Sequence, residues 1–278
     1  TIQYAYEMSV REVLPKLGVE LVDINNVSCC GVPLRSVNTF ASLYLAARNL
    51  AIAEKTGLKD LLVLCNGCHL SFSEALHFLK NDQGLRQKID ALLMDEELQL
   101  KGSLQIWHLV DLLHDLIKEE TIKNSVKKTL TDLKFVSQYG CHIIRPSRLG
   151  RVDHPENPRK LDDLIEWLGA SAVDYPEKLD CCGALLLLSH PDAALTLAGL
   201  KLKAVQSLRV DGLINACPSC HMMFDMRQKS AGATVGAKLN FPVLYYTQLL
   251  GIAMGIEEEK LGLHLNRSPV DELLQKIL

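Results

Sequence analysis

The word Cys29-Cys30-Gly31 recurs as Cys181-Cys182-Gly183. In both copies 34 residues separate the second cysteine from a C-x-x-C-H word, Cys65, Cys68 and His69 in the first and Cys217, Cys220 and His221 in the second. One constant offset of 152 residues relates all five positions. Self-similarity at a fixed spacing marks a duplicated unit, so the 278 residues read as two fused halves, 1–133 and 134–278. Eight of the nine cysteines fall into the two copies. The ninth, Cys141 in "YGCHIIRPS", lies 39 residues ahead of the second pair and gives the second copy a fifth thiol. Its counterpart would precede Thr1. Because the chain also begins without Met, it is read as starting downstream of a natural N-terminus, with the matching cysteine beyond it.

Adjacent cysteines make a poor structural bridge, because a vicinal disulfide strains an eight-membered ring and ordinary bridges want Cα atoms about 4.4 to 6.8 Å apart. Nine cysteines are also too few to scaffold a chain of this length. Tight C-x-x-C pairs suit metal binding or redox chemistry in a reducing compartment, so cytoplasmic residence is expected. A hydrophobic fraction of 48% supports a sizeable core, and the net charge of −3 predicts neither nucleic-acid binding nor attachment to an anionic membrane. The apolar runs are far shorter than the roughly 20 residues of a membrane-spanning helix.

Each half alternates helices with short apolar runs, the pattern of a small parallel α/β sheet with flanking helices. "FASLYLAARNLAIAEKTG" (40–57) has helical spacing and is followed by the strand-like "LLVLC" (61–65); "AALTLAGLKLKAVQSL" (193–208) and "GLINAC" (212–217) repeat this. Upstream, "REVLPKLGVELVDI" parallels "LDDLIEWLGASAVDY", a helix closed near Gly18 or Gly169 and followed by a strand. The order puts Cys65 and Cys217 at the carboxyl edge of a sheet, where functional loops gather. It also puts the second cysteine of each word near a helix N-terminus, which favours thiolate. Residues 84–134 read as a charged helical connector. Its segment "SLQIWHLVDLLHDLIKEE" is loosely echoed by "FPVLYYTQLLGIAMG", and both are expected to pack as core rather than to dock a partner.

C-x-x-C converges two sulfurs on one centre, whereas side chains of adjacent cysteines diverge and are more naturally placed on two metal atoms of one cluster. Five thiolates exceed both tetrahedral zinc and an ordinary cubane. Open alternatives are a four-cysteine zinc site, covalent haem at C-N-G-C-H and C-P-S-C-H, which leaves the pairs unexplained, and thioredoxin-like exchange, which needs only one C-x-x-C. His69, His142 and His221 each follow a cysteine and are expected to tune or pack, not to ligate.

The repeated pattern, with "YGCHIIRP", "PENP" and "FPVLYYTQLLG", resembles the cysteine-rich CCG domain of the heterodisulfide reductase B subunit (HdrB) over essentially the whole chain. Relatives of that family serve succinate, lactate and sulfur oxidation. The resemblance implies two pseudo-twofold-related halves and two noncubane [4Fe-4S] clusters, one held by Cys141, Cys181, Cys182, Cys217 and Cys220, the other by Cys29, Cys30, Cys65 and Cys68, with zinc at the first site as the lesser alternative. It further implies reduction of a disulfide such as CoM-S-S-CoB, of the kind used in methanogenesis, between clusters that share the two electrons. No G-x-G-x-x-G occurs, so electrons are expected from partners: the C-type [4Fe-4S] protein of a heterodisulfide reductase and its A-type flavoprotein, which bifurcates electrons, within a complex that can include hydrogenase or formate dehydrogenase. The small anionic disulfide has a candidate cradle in "RPSRLGRVDHPENPRK", with Arg145, Arg148, Arg151, Arg159 and Lys160, and with His142 beside Cys141. The rival expectation is a non-catalytic electron relay or scaffold within another oxidoreductase complex.

Overall fold

Asn38 caps the first turn of helix Thr39–Glu54 by accepting from the Ala41 amide, and Pro191 opens the equivalent helix Pro191–Ser207. In the computed structural model, which describes residues 4–149 and 152–277, the two helices begin 152 residues apart, and each feeds a short parallel strand. These strands, β1 (Asp60–Val63) and β5 (Gly212–Asn215), also keep the 152-residue offset. β1 pairs in parallel with β2 (Gln105–His108), Leu61 opposite Ile106. β5 lies in a parallel sheet of order β4-β3-β5-β6, with β3 at Lys134–Gln138, β4 at Ser171–Ala172 and β6 at Val243–Tyr245. β5 and β6 are buried at every residue, as parallel strands covered on both faces must be. The expected mixed α/β architecture with parallel sheets is therefore present in both halves.

Three local expectations change. No strand forms after Gly18; residues 19–25 run outside the ladders. After Gly169 only the two-residue β4 forms, paired with Lys134 and Phe135. "QIWH" is strand β2, not part of a helical connector, because its residues pair in register beside β1. The echo of this segment in "FPVLYYTQLLG" is thus a strand-to-helix echo. The helix that follows β6, Tyr246–Ala253, is buried at all eight residues and packs as core.

The chain divides into two compact units. One comprises Thr1–Leu21, Leu113–Cys141 and Glu156–Leu278 and contains the four-stranded sheet; the other comprises Val22–Leu112 and His142–Pro155 and contains β1 and β2. Both units take segments from either side of residue 133. Within the first, helix Tyr4–Val13 is held by specific contacts: the Tyr6 ring stacks on Tyr245 at 4.0 Å, its hydroxyl donates to the Ala216 carbonyl at 3.2 Å, and Ser9 shares a 2.7 Å hydrogen bond with Thr247.

The glycine of each C-C-G word has a steric cause. Gly31 and Gly183 have φ of 86° and 80°, and a Cβ there would lie 2.6 Å from the Ser42 carbonyl oxygen and 2.5 Å from that of Ala194. Both the left-handed backbone and the closeness of the helix exclude a side chain. Gly183→Ala is expected to cost about 2–5 kcal/mol from strain and overpacking together, read as a lowered unfolding midpoint. Tyr6→Phe, which removes only the hydroxyl, should cost about 1 kcal/mol in the same measurement, and Tyr6→Ala about 3–5 kcal/mol.

Candidate metal centre

Cys217 leaves β5 in extended conformation, φ −139° and ψ 123°, as N-cap of helix Pro218–His221, so Cys220 falls in its first turn. The strand-to-helix turn brings both sulfurs to the carboxyl edge of the sheet. Cys181 and Cys182 arrive from the other side through the loop that Gly183 lets pass close to helix Pro191–Ser207. Cys141 follows β3. The five thiols form an unbroken run of hydrogen bonds: Cys141 to Cys181, Cys181 to Cys182, Cys182 to Cys220, and Cys220 to Cys217. No disulfide joins the cysteines among the described residues.

Crowding sets their acidity. The hydrogen bond with Cys181 pushes Cys141 far above the ordinary thiol range, and burial adds to it. Contact with Cys181 pushes Cys182 up to about 11, against lowering by Cys220 and by the Ala184 amide. Cys220, in contact with Cys182 and Cys217, is likewise raised well above the ordinary thiol range. Backbone and amide donors meet these sulfurs: the Gly183 N–H at 3.3 Å from Cys181 Sγ and Gln138 Nε2 at 3.7 Å from Cys220 Sγ.

The other unit repeats the plan with four thiols. Cys65 is N-cap of helix Asn66–Asn81 and Cys68 lies in its first turn. Cys68 hydrogen-bonds Cys30 and Cys65 and is raised by both. Cys30, stabilised as thiolate first by Cys68 and also by the Val32 amide and Ser71, is lowered to about 7 against the opposing effect of burial. The Val32 donor is the counterpart of Ala184. Cys29 is exposed, as is its counterpart Cys181. A hollow of about 400 Å³ is bordered by Cys30, Cys65 and Cys68 together with Asn49, Leu62 and Phe72.

The histidine after each C-x-x-C packs beneath the thiols. His221 stacks on Tyr245 at 3.9 Å, extending the Tyr6–Tyr245 stack. Burial lowers it to about 4, so it is neutral at pH 7. The Asn215 amide donates to its Nδ1 at 3.2 Å, leaving the ring proton on Nε2 toward Asp225, 3.6 Å away. Asn215 Oδ1 also accepts from the Cys217 N–H, tying ring and ligand loop together. In the other unit His69 meets His108 edge-on at 5.8 Å. Tyr6, His108, Asn215 and Tyr245 carry no mark in the sequence that singles them out; for His108 and Tyr245, the residues that end β2 and β6, aligning the two strand-to-helix echoes supplies a signal.

The expected anion cradle is divided. Arg145 and Arg148 are exposed and belong with His142 to the unit of β1, where Arg145 donates to the Pro155 carbonyl at 3.3 Å. Arg159 and Lys160 belong to the other unit and are engaged there by carboxylates, Arg159 with Asp162, Asp163 and Glu166, Lys160 with Asp115. Arg151 lies outside the described residues.

The donor set fits a polynuclear metal centre. Among the described residues no three His, Cys, Asp or Glu side chains converge as ligands of one ion must. The thiols are instead strung side by side in each unit, with N–H donors aimed at sulfur, surroundings of the kind that iron-sulfur clusters use. Among the described residues no helix is long and apolar enough to cross a membrane.

Comparison with known proteins agrees with this chemistry. The cysteine-rich domain family CCG matches twice, at residues 3–73 and 135–225. The B subunit of the ferredoxin/F(420)H(2)-dependent CoB-CoM heterodisulfide reductase of Methanosarcina acetivorans is 35% identical over 98% of this chain and 91% of its own length. The 8-methylmenaquinol:fumarate reductase membrane anchor subunit of Wolinella succinogenes is 31% identical over 93% of this chain and 89% of its own. A crystal structure of a hypothetical protein from Helicobacter pylori shares the fold, with a TM-score of 0.75 and 19% identity over 96% of this chain, which spans 49% of that one. With both copies of the domain in place and near full-length relatives of this kind, the chain belongs to the cysteine-rich CCG family, as a protein of the heterodisulfide reductase B-subunit type.

Proposed function

We propose that this chain is the disulfide-reducing subunit of a heterodisulfide reductase-type complex, holding a noncubane [4Fe-4S] centre in each thiol pocket. The observation that carries the reading is the run of five thiols, each beside the next, Cys141, Cys181, Cys182, Cys220 and Cys217, one more than a zinc ion or a cubane can use. Cys29, Cys30, Cys65 and Cys68 hold the other centre. When bound, such a centre supplies electron storage and iron sites that a substrate sulfur can reach. The net reaction joins one disulfide, two electrons and two protons to give two thiols.

The chain's own residues supply position and electrostatics. The C-x-x-C turns hold two sulfurs of each set on rigid strand ends. The Val32, Gly183 and Ala184 amides and the Gln138 side chain favour sulfur in its anionic form. His221, neutral and stacked, adds no charge and holds the ligand loop through Asn215. Arg145 and Arg148, exposed beside His142, are the groups we assign to an anionic substrate. The relatives named as subunits of CoB-CoM heterodisulfide reductases support a disulfide of that type and a multisubunit complex; electron delivery by a small iron-sulfur protein and a flavoprotein, in the cytoplasm, is our assignment. A second reading, an electron relay within a different oxidoreductase, is favoured by the 31% identical relative named as part of a fumarate reductase.

Anaerobically purified protein is expected to contain iron and acid-labile sulfide, and Cys182→Ser or Cys220→Ser to lose roughly half of each while the other site stays loaded. Zinc without iron would refute the reading. An EPR signal of the oxidised protein that changes on adding the thiol products supports disulfide chemistry; a signal indifferent to them supports the relay. Arg145→Ala should raise KM for an anionic disulfide roughly tenfold with kcat little changed, the size expected for one lost charge-assisted hydrogen bond; an unchanged KM removes Arg145 from the substrate site.

A further inference from the structure

The two thiol pockets share a backbone brace that differs in charge. Lys201, 1% exposed, reaches from helix Pro191–Ser207 to donate to the carbonyls of Lys178 at 2.9 Å and of Asp180 at 3.1 Å. Asp180 immediately precedes Cys181. At the 152-residue offset stands Asn49, on helix Thr39–Glu54, and its Nδ2 donates at 2.9 Å to the carbonyl of Ser28, which immediately precedes Cys29. Each side chain pins the same point of the loop that presents the adjacent cysteines. A neutral amide is enough for that task in one copy, so the ammonium in the other carries something that bracing alone does not require.

Burying a cation costs several kcal/mol unless opposite charge compensates it. Lys201 makes no ion pair among the described residues; its ammonium contacts carbonyls and lies 5.5 Å above the Tyr175 ring. The Asp180 carboxylate acts on it through space but makes no ion pair with it, and other buried carboxylates of this unit are engaged elsewhere. Asp162 is paired with Lys178, and Asp225 accepts from the Arg267 and Ser268 amides and the Ser268 hydroxyl. Burial lowers the Lys201 ammonium to about 8, against the opposing effect of Cys220 first and of Asp180, Cys182 and Cys181 after it. At the other pocket the buried Glu74 is neutralised by Arg35 at 2.5 Å.

We infer that Lys201 is a redox-tuning residue, a buried cation without an ion-pair partner among the described residues that raises the reduction potential of the centre held by Cys181, Cys182 and Cys220 and so makes the two centres of one chain unequal. The physical basis is that a fixed positive charge stabilises the more negative, reduced state of a neighbouring group, and more so in a poorly screened interior. The inference rests on the iron-sulfur reading above.

Redox titration of the anaerobically purified full chain, followed by EPR, reads the two centres apart. Lys201→Gln is expected to move one signal to more negative potential and leave the other in place, while Lys201→Arg keeps the native value. Asn49→Lys is expected to move the other signal to more positive potential, and it decides the matter if Lys201→Gln fails to retain iron. Unmoved potentials in an iron-replete variant overturn the inference. Native protein free of iron overturns instead the reading on which it rests.

Discussion

Everything in this molecule is arranged around sulfur crowding. Two unit charges 4 Å apart repel by about 4 kcal/mol even at an effective dielectric of 20, so five contacting thiols cannot all ionise unaided. Free of metal they must share protons, which is why Cys141, Cys182 and Cys220 hold theirs above the ordinary thiol range. Positive metal would remove the conflict by replacing those protons, so loading would be coupled to proton release and to the order of the loops that carry the thiols.

The scaffold answers that demand with rigid termini. β1 and β5 lead into Cys65 and Cys217, each already extended and each starting a helix, so two of the sulfurs in either set come from one strand end with little backbone freedom. The adjacent pair needs a different device: a left-handed glycine pressed against a helix carbonyl, Gly31 on Ser42 and Gly183 on Ala194. The offset holds here to the atom that would clash. Duplication has therefore preserved the steric core of the site and not merely its cysteines.

Between these fixed points the copies have diverged in their electrostatics. The histidine after C-x-x-C lies on Tyr245 in one unit and against His108 in the other. The brace beneath the adjacent cysteines is Lys201 in one and Asn49 in the other. A duplicated site whose four shared cysteines sit in different surroundings would be suited to holding two similar centres at different potentials, since hydrogen bonds to sulfur and local charge are the levers a protein has over them.

The repeat, the clustered thiols, the helix-to-strand order before each C-x-x-C and the recurrence of Gly31 and Gly183 were all legible in the residues, because each is local: spacing, periodicity and short words lie within a few dozen residues of chain. What needed the tertiary structure was partnership between distant segments. Periodicity cannot tell that Gln105–His108 is a strand until β1 is beside it, nor that helix Tyr4–Val13 joins the unit of the second cysteine set through Tyr6 and Tyr245. Nor does charge composition reveal that Arg159 and Lys160 are consumed by carboxylates, or that Lys201, one basic residue among thirty, is buried without an ion-pair partner among the described residues. The chain alone determined where the thiols recur; packing decided which field those sulfurs would feel, because that field depends on neighbours that meet only when the sheet and its helices close.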